Sequence, residues 1–172
     1  MPKQKSLPSF REIVPGEGGR LGAIMRGDLV GGARQPDYAI IVTDIPCING
    51  ADLKMEWGSY GEKIAGTDSY TNGRANTAAM LKAKLTIARR VTSVKADGHS
   101  DFYLPARNEL RALYITVPEL FEKDGWYWSS TQIGSSYAFC QNFASGSSHW
   151  STKVNEFRVR AVRAIQLHHF TT

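Results

Sequence analysis

Cysteine is nearly absent. Cys47 and Cys140 are the only two in 172 residues, and neither sits in a Cys-x-x-Cys pair. That excludes a disulfide framework. The pair reads as two reduced, non-functional thiols, with a single bridge between them as the alternative. Long apolar runs are missing too, and without a stretch of about 18 apolar residues no helix spans a membrane. Met1 to Ser9 carries charges with no apolar run behind them, so the expected route is synthesis in a cytoplasm without a secretory leader. There is no Asn-x-Ser/Thr sequon, no internal repeat and no low-complexity segment. The net charge is +5, but the basic residues are scattered. No like-charge run is long enough for a nucleic-acid tail, and nucleic acid is not an expected partner.

What is present suits one soluble domain. Hydrophobic residues make up 42% of the chain and charged residues 22%, ordinary values for a globule with a sizeable core. Residues 1–15 are polar, basic and proline-bearing, and read as an N-terminal arm that docks on a partner. Residues 16–172 read as a single domain. The glycine-rich stretch Gly18 to Gly27 is expected as an edge strand. Tyr38 to Thr43 is a continuous apolar run between turn signals, hence a buried strand. Arg26-Gly27-Asp28 spells an integrin-type tripeptide, which chance supplies often. Trp57 is expected to anchor the loop around it to the core.

The first helix is expected from a cap at Asn76 or Thr77 to about Val91, with Leu81, Leu85 and Ala88 on its apolar stripe. A short strand over Asp101 to Pro105 leads into a second helix. There Leu110, Leu113, Tyr114 and Val117 fall at i, i+3, i+4 and i+7, after a cap at Ala106. From Trp126 to Arg163 the pattern changes to period two. Trp126-Tyr127-Trp128, then Tyr137, Phe139 and Phe143, then Phe157 to Arg163, are separated by Gly and Ser. This reads as three antiparallel strands joined by loops. The order strands, two helices, strands makes the fold class α+β, with two helices packed on antiparallel sheets and long loops.

Gly66-Thr67, Gly73-x-x-Asn76-Thr77, Gly98-x-x-Asp101-Phe102-Tyr103-Leu104-Pro105-x-x-x-Glu109-Leu110 and Tyr127-Trp128-Ser129-Ser130-Thr131 follow in order, as do Phe143-x-x-Gly146 and Val159 to Arg163. Over roughly Gly18 to Ile165 this series resembles the C-terminal domain of collagen-like (Lcl) bacterial adhesins, in the stand-alone form carried by phages and prophages. The resemblance implies a C-type-lectin-like fold, akin to the formylglycine-generating scaffold, and adhesion or virion display instead of catalysis. Ala106 stands where that family commonly has Ser, and Phe102 where it has Trp. No collagen-like stalk precedes the domain, which favours a small virion subunit made in the bacterial host cytoplasm. Other virion proteins would be met through the arm, with a host glycan or surface receptor as ligand and a homo-oligomer as a further arrangement. The alternatives are an intracellular phage or prophage binding factor and an enzyme on the formylglycine-generating scaffold.

Within that reading the ligand face is expected on the last loops. Trp150 is the one large flat apolar group there, suited to stacking on a sugar ring. His149, Asn142, Lys153 and Tyr137 are its expected polar and aromatic neighbours; a core-lid role is the competing reading for Trp150. Arg158, Arg160 and Arg163 either bind an anion or pair with acids on a strand face. His168-His169 point to opposite faces of an extended strand and make a poor chelate, and no metal, cofactor or catalytic residue is assigned.

Overall fold

The computed structural model describes residues 6–44 and 52–170. Met1–Lys5 of the expected arm and Cys47 lie outside the described residues. In chain order the elements are β1 (Ile13–Val14), β2 (Gly19–Met25), β3 (Leu29–Val30), β4 (Ala33–Arg34), β5 (Tyr38–Val42) and β6 (Lys54–Glu56). Among the described residues three α-helices follow: α1 (Gly73–Lys82), α2 (Thr86–Thr92) and α3 (Arg107–Thr116). The chain then forms β7 (Trp126–Ile133), β8 (Tyr137–Asn142), β9 (Ser148–Thr152), β10 (Glu156–Arg158) and β11 (Val162–Gln166). The class is α+β, as the order of periodicities requires.

Two main sheets carry the structure. One has the order β1-β2-β5-β11 and the other β6-β10-β7-β8-β9. β2, expected at an edge, lies inside its sheet, between β1 and β5. β7 reads as near-continuous apolar and hydroxyl residues because it is central: it is buried from Tyr127 to Gln132, between β8 and β10. Trp128 and Tyr127 point into different cores, and Trp126 is half-buried at the sheet surface. Asp101 to Pro105 forms only a two-residue bridge, Tyr103 to Val162, with N–H to O distances of 2.8 and 3.0 Å.

The expected single helix is two. Lys84 takes a left-handed backbone with φ 61°, and its neighbours Ala83 and Leu85 end α1 and start α2. The break resets the helical phase, so Leu81 is exposed while Met80, Ile87, Ala88 and Val91 fill the core. The cap of α1 is Asn72, whose side chain accepts from the Ala75 N–H at 2.9 Å. Asn76 and Thr77 are buried inside the helix because tertiary partners hold them.

Three apolar clusters result. Trp57, Met80, Val91, Leu104 and Trp128 lie between α1, α2 and the five-stranded sheet. Ile40, Leu110, Leu113, Tyr127 and Phe143 lie between α3 and both sheets. Val14, Leu21, Ile41, Ile165 and Phe170 form a smaller cluster with Leu7 and Leu167 packed against it. Val14 and Leu7 belong to the stretch expected as an arm, so the domain begins to pack before residue 16.

Candidate functional site

Several of the motif residues converge on a buried polar hub. Glu109 is buried, and its Oε1 accepts from the hydroxyls of Tyr38 at 2.8 Å and Tyr103 at 2.9 Å. Its Oε2 accepts from the Ala106 N–H at 2.8 Å and the Gly73 N–H at 3.2 Å. One carboxylate thus closes the first turns of both α3 and α1, where the helix dipoles favour negative charge. Burial pushes its carboxyl above the ordinary range, against these four donors. Gly73 is required by close approach: a Cβ there would meet Glu109 Oε2 at 2.4 Å and the Ala106 nitrogen at 2.6 Å. Ala106 has no side-chain acceptor, so only the Glu109 half of a capping box is made, the carboxylate accepting from the Ala106 N–H.

Thr77, Asn76 and Thr131 of the motifs extend this hub. Thr77 Oγ1 donates to the Gly73 carbonyl at 2.7 Å and accepts from the Leu104 N–H at 3.0 Å. Asn76 Nδ2 donates to the Ser69 carbonyl at 2.7 Å, and Thr131 Oγ1 donates to the same carbonyl at 2.7 Å. Buried polar groups satisfied in this way fix the fold. A cleft of about 270 Å³ opens beside the hub. Its charged groups are already paired: Asp28 accepts from Thr71 Oγ1 at 2.8 Å, and Arg74 lies 3.5 Å from Asp101. Asp28 and the buried Gly27 are thus locked into the β2–β3 connection, which removes the Arg-Gly-Asp tripeptide as a free loop.

A surface cluster lies on the face of β8 and β9 that carries Phe139 and Trp150, where Arg107 of α3 reaches it. Phe139 pairs with Trp150 across these strands, so both side chains share a face, and their rings meet edge to face at 5.5 Å. Tyr70, 40% exposed, approaches Trp150 at 6.0 Å. The Arg107 guanidinium lies 4.6 Å from the Tyr70 ring centre, 5.3 Å from Phe139 and 5.8 Å from Trp150. No acid pairs with it among the described residues, and its Nε is buried without a hydrogen-bond partner. The backbone of Arg107 is fixed by donation to Thr131 Oγ1 at 3.0 Å. Trp150 is half-buried, with Phe139, Tyr70 and Arg107 around its ring.

The five expected site residues are not one constellation. His149 neighbours Trp150 in sequence but faces the opposite side of β9, its ring 5.1 Å from Trp126. Asn142 caps the β8–β9 connection, accepting from the Ala144 and Ser145 N–H groups at 2.8 and 3.0 Å. Tyr137, 47% exposed, sits opposite Thr152 at the far end of the hairpin. Lys153 is 0% exposed. Its amine donates to the Glu62 carbonyl at 2.8 Å and Gln132 Oε1 at 2.9 Å, and lies 4.6 Å from the Trp57 ring centre. Burial lowers its pKa to about 8, opposed by the Asp68 and Glu62 carboxylates. Lys153 is therefore an internal tie and does not face a ligand. Tyr70 and Arg107 were invisible to periodicity: one lies in a turn and the other just off the apolar stripe of α3.

The three late arginines pair with acids. Arg158 meets Asp124 at 2.8 Å, Arg160 makes two 2.7 Å bonds to buried Asp52, and Arg163 meets Glu17 at 2.8 Å and Asp101 at 2.6 Å. Tyr127 also donates to Asp52. His169 turns to Glu17 at 3.1 Å. Cys140 is buried, its thiol pushed up to about 12 by burial, which suppresses the reactive thiolate.

No curated protein matches the chain. The model of one family, the Lcl C-terminal domain, matches residues 51–163, a span holding α1 to α3, Glu109 with all its hub partners except Tyr38, and β6 through β10. The chain belongs to the Lcl C-terminal domain family, whose character is that of an adhesin-like binding domain.

Proposed function

We propose that this binding domain is a non-catalytic component of a phage particle, a decoration of capsid, tail or baseplate on a C-type-lectin-like scaffold. Its ligand is a bacterial surface glycan, and the ligand face is the cluster of Trp150, Tyr70 and Arg107. The observation that carries this reading is the cluster itself. Two partly exposed rings, Trp150 on the β8–β9 hairpin and Tyr70 in the turn before α1, lie around a guanidinium that has no acidic partner among the described residues. An aromatic face stacks on the apolar face of a sugar, and guanidinium donors suit the ring's oxygens. The non-catalytic reading is supported by how the reactive groups are engaged: Glu109 is saturated with donors and Cys140 is buried with a raised pKa. The N-terminal residues remain the proposed contact with other virion proteins.

Trp150→Ala tests the ligand face. Binding to host cells or isolated surface polysaccharide should weaken by roughly 2 kcal/mol, as for other aromatic anchors, with the melting temperature little changed. A loss of ~3–5 kcal/mol in stability, with unchanged binding per folded molecule, would make Trp150 a core lid. Mass spectrometry of purified particles tests the particle assignment, and its absence from them would leave an intracellular binding factor.

A further inference from the structure

A sheet edge exposes a row of unpaired N–H and C=O groups, and folded proteins blunt such edges by shortness, charge, proline, bulges or cover. Three of the four outer edges here are blunted. β1 has two residues. β6 has three, with Lys54 and Glu56 at its ends. β11 is covered in part by the Tyr103 bridge at Val162 and by Arg74, which reaches the Ala164 carbonyl at 3.4 Å. β9 differs: it is five residues long, Ser-His-Trp-Ser-Thr, with no carboxylate, Lys, Arg or Pro, and it pairs with β8 without a bulge.

The direction of its backbone groups follows from the pairing. The Asn142 N–H donates to the Ser147 carbonyl at 2.8 Å, and the Lys153 N–H donates to the Ser136 carbonyl at 3.0 Å. Alternate residues of an antiparallel strand point their polar groups the same way. His149 and Ser151 therefore face β8, and Ser148, Trp150 and Thr152 face outward. This outward set is self-complementary. In an antiparallel pairing of two copies centred on Trp150, Ser148 of one protomer meets Thr152 of its partner, and Trp150 meets Trp150. The Trp150 N–H and carbonyl can pair across the axis and the Thr152 N–H can reach the partner's Ser148 carbonyl, while the Thr152 carbonyl already accepts from the Asn155 N–H at 3.0 Å; the same patch serves both copies, as in an isologous two-fold interface.

We infer that the protein forms a homodimer through β9, joining the two five-stranded sheets edge to edge across a two-fold axis at Trp150. The side chains of Ser148, Trp150 and Thr152 share one face. The dimer therefore sets the two clusters of Trp150, Tyr70 and Arg107 side by side, as a bivalent surface in which a second binding event becomes intramolecular. The pairing itself rests on the strand edge and not on the nature of the ligand.

The register makes a specific test available. With Ser148→Lys and Thr152→Lys together, each new cation faces another across the axis, and like charges directly opposite destabilise a pair. With Ser148→Lys and Thr152→Glu, each lysine faces a glutamate. Sedimentation of the wild-type chain at about 100 µM, far above a micromolar dissociation constant, should give twice the 19.0 kDa of one chain. The double-lysine variant should sediment as a single chain, and the lysine–glutamate variant should recover the dimer. Thr152→Pro, which removes an outward N–H and leaves the β8 ladder intact, should also be monomeric. In hydrogen exchange, the Ser148 and Trp150 amides should gain protection as wild-type concentration rises, while the double-lysine variant shows none. A monomeric wild type, or a double-lysine variant as dimeric as the wild type, overturns the inference. The double-lysine variant keeps Trp150, Tyr70 and Arg107, so its binding to glycan in solution reports on the ligand reading separately.

Discussion

At the scale of the residue, the same chemistry serves opposite ends. Arg107 and Arg160 both lie against aromatic rings, Arg160 at 4.8 Å from the Phe121 ring centre. Arg160 is tied to buried Asp52, whereas Arg107 has no acid beside it, and only Arg107 is suited to meet a ligand. Lys153 is the reverse of a surface lysine. Its amine is desolvated, so its folded pKa, about 8, lies below the ordinary lysine value of 10.5. Between these values the unfolded chain binds a proton that the folded chain does not, and stability rises with pH in that window. Relative to Lys153→Met, the wild type should hold a constant stability difference below pH 8 and then gain on the order of 2–3 kcal/mol by pH 10.5. Parallel melting curves of both proteins from pH 6 to 10.5 measure this. A difference that stays flat throughout would mean that the amine is hydrated in the folded state.

At the scale of the element, the α1–α2 junction carries a local conflict. Lys84 occupies a left-handed conformation that glycine adopts freely, while the Leu85 N–H bonds back to the Met80 carbonyl at 3.0 Å. This is the arrangement in which glycine commonly ends a helix. The lysine side chain is exposed and makes no ion pair among the described residues. Lys84→Gly should therefore stabilise the domain by about 1 kcal/mol, the left-handed strain relieved less the added freedom of the unfolded chain. Chemical denaturation reads it as a higher midpoint with an unchanged slope. A lower midpoint would show that Lys84 makes a contact worth more than its strain.

At the scale of the whole molecule, both chain ends close the third apolar cluster. Leu7 and Val14 arrive from one terminus, Ile165, Leu167 and Phe170 from the other, over the Leu21, Ala39 and Ile41 side of the sheet. The Arg11 N–H donates to the Leu21 carbonyl at 2.8 Å, and the Leu21 N–H to the Glu12 carbonyl at 3.0 Å. Removing residues 6–12 should expose Leu21 and its neighbours and lower stability by about 2 kcal/mol, mainly through lost burial of Leu7 and the Leu21 surface. Thermal melting and proteolysis near Phe170 would detect it. An unchanged melting temperature would mean that this segment contributes nothing to the fold and is free to dock elsewhere.

Periodicity in the amino-acid sequence determined a good deal by itself: the α+β class, the buried strand at Tyr38, the helix after Pro105 and the strand series after Gly125. These are local properties, and each repeats within a few residues. The ordered motifs also identified the family, and Gly73, Asn76, Thr77 and Glu109 among them are held in one buried polar network. What lay beyond sequence depends on which distant groups meet. Asn76 and Thr77 look like helix caps until their partners at Ser69 and Leu104 are known. Lys153 looks like a surface cation until the Glu62 carbonyl and Gln132 Oε1 are seen to accept its hydrogen bonds. His149 and Trp150 look like neighbours until strand alternation sends them to opposite faces. Only the tertiary structure brought Tyr70, Arg107 and Trp150 together, because Tyr70, Phe139 and Trp150 reach Arg107 from separate segments, and through-space contact leaves no period in the chain.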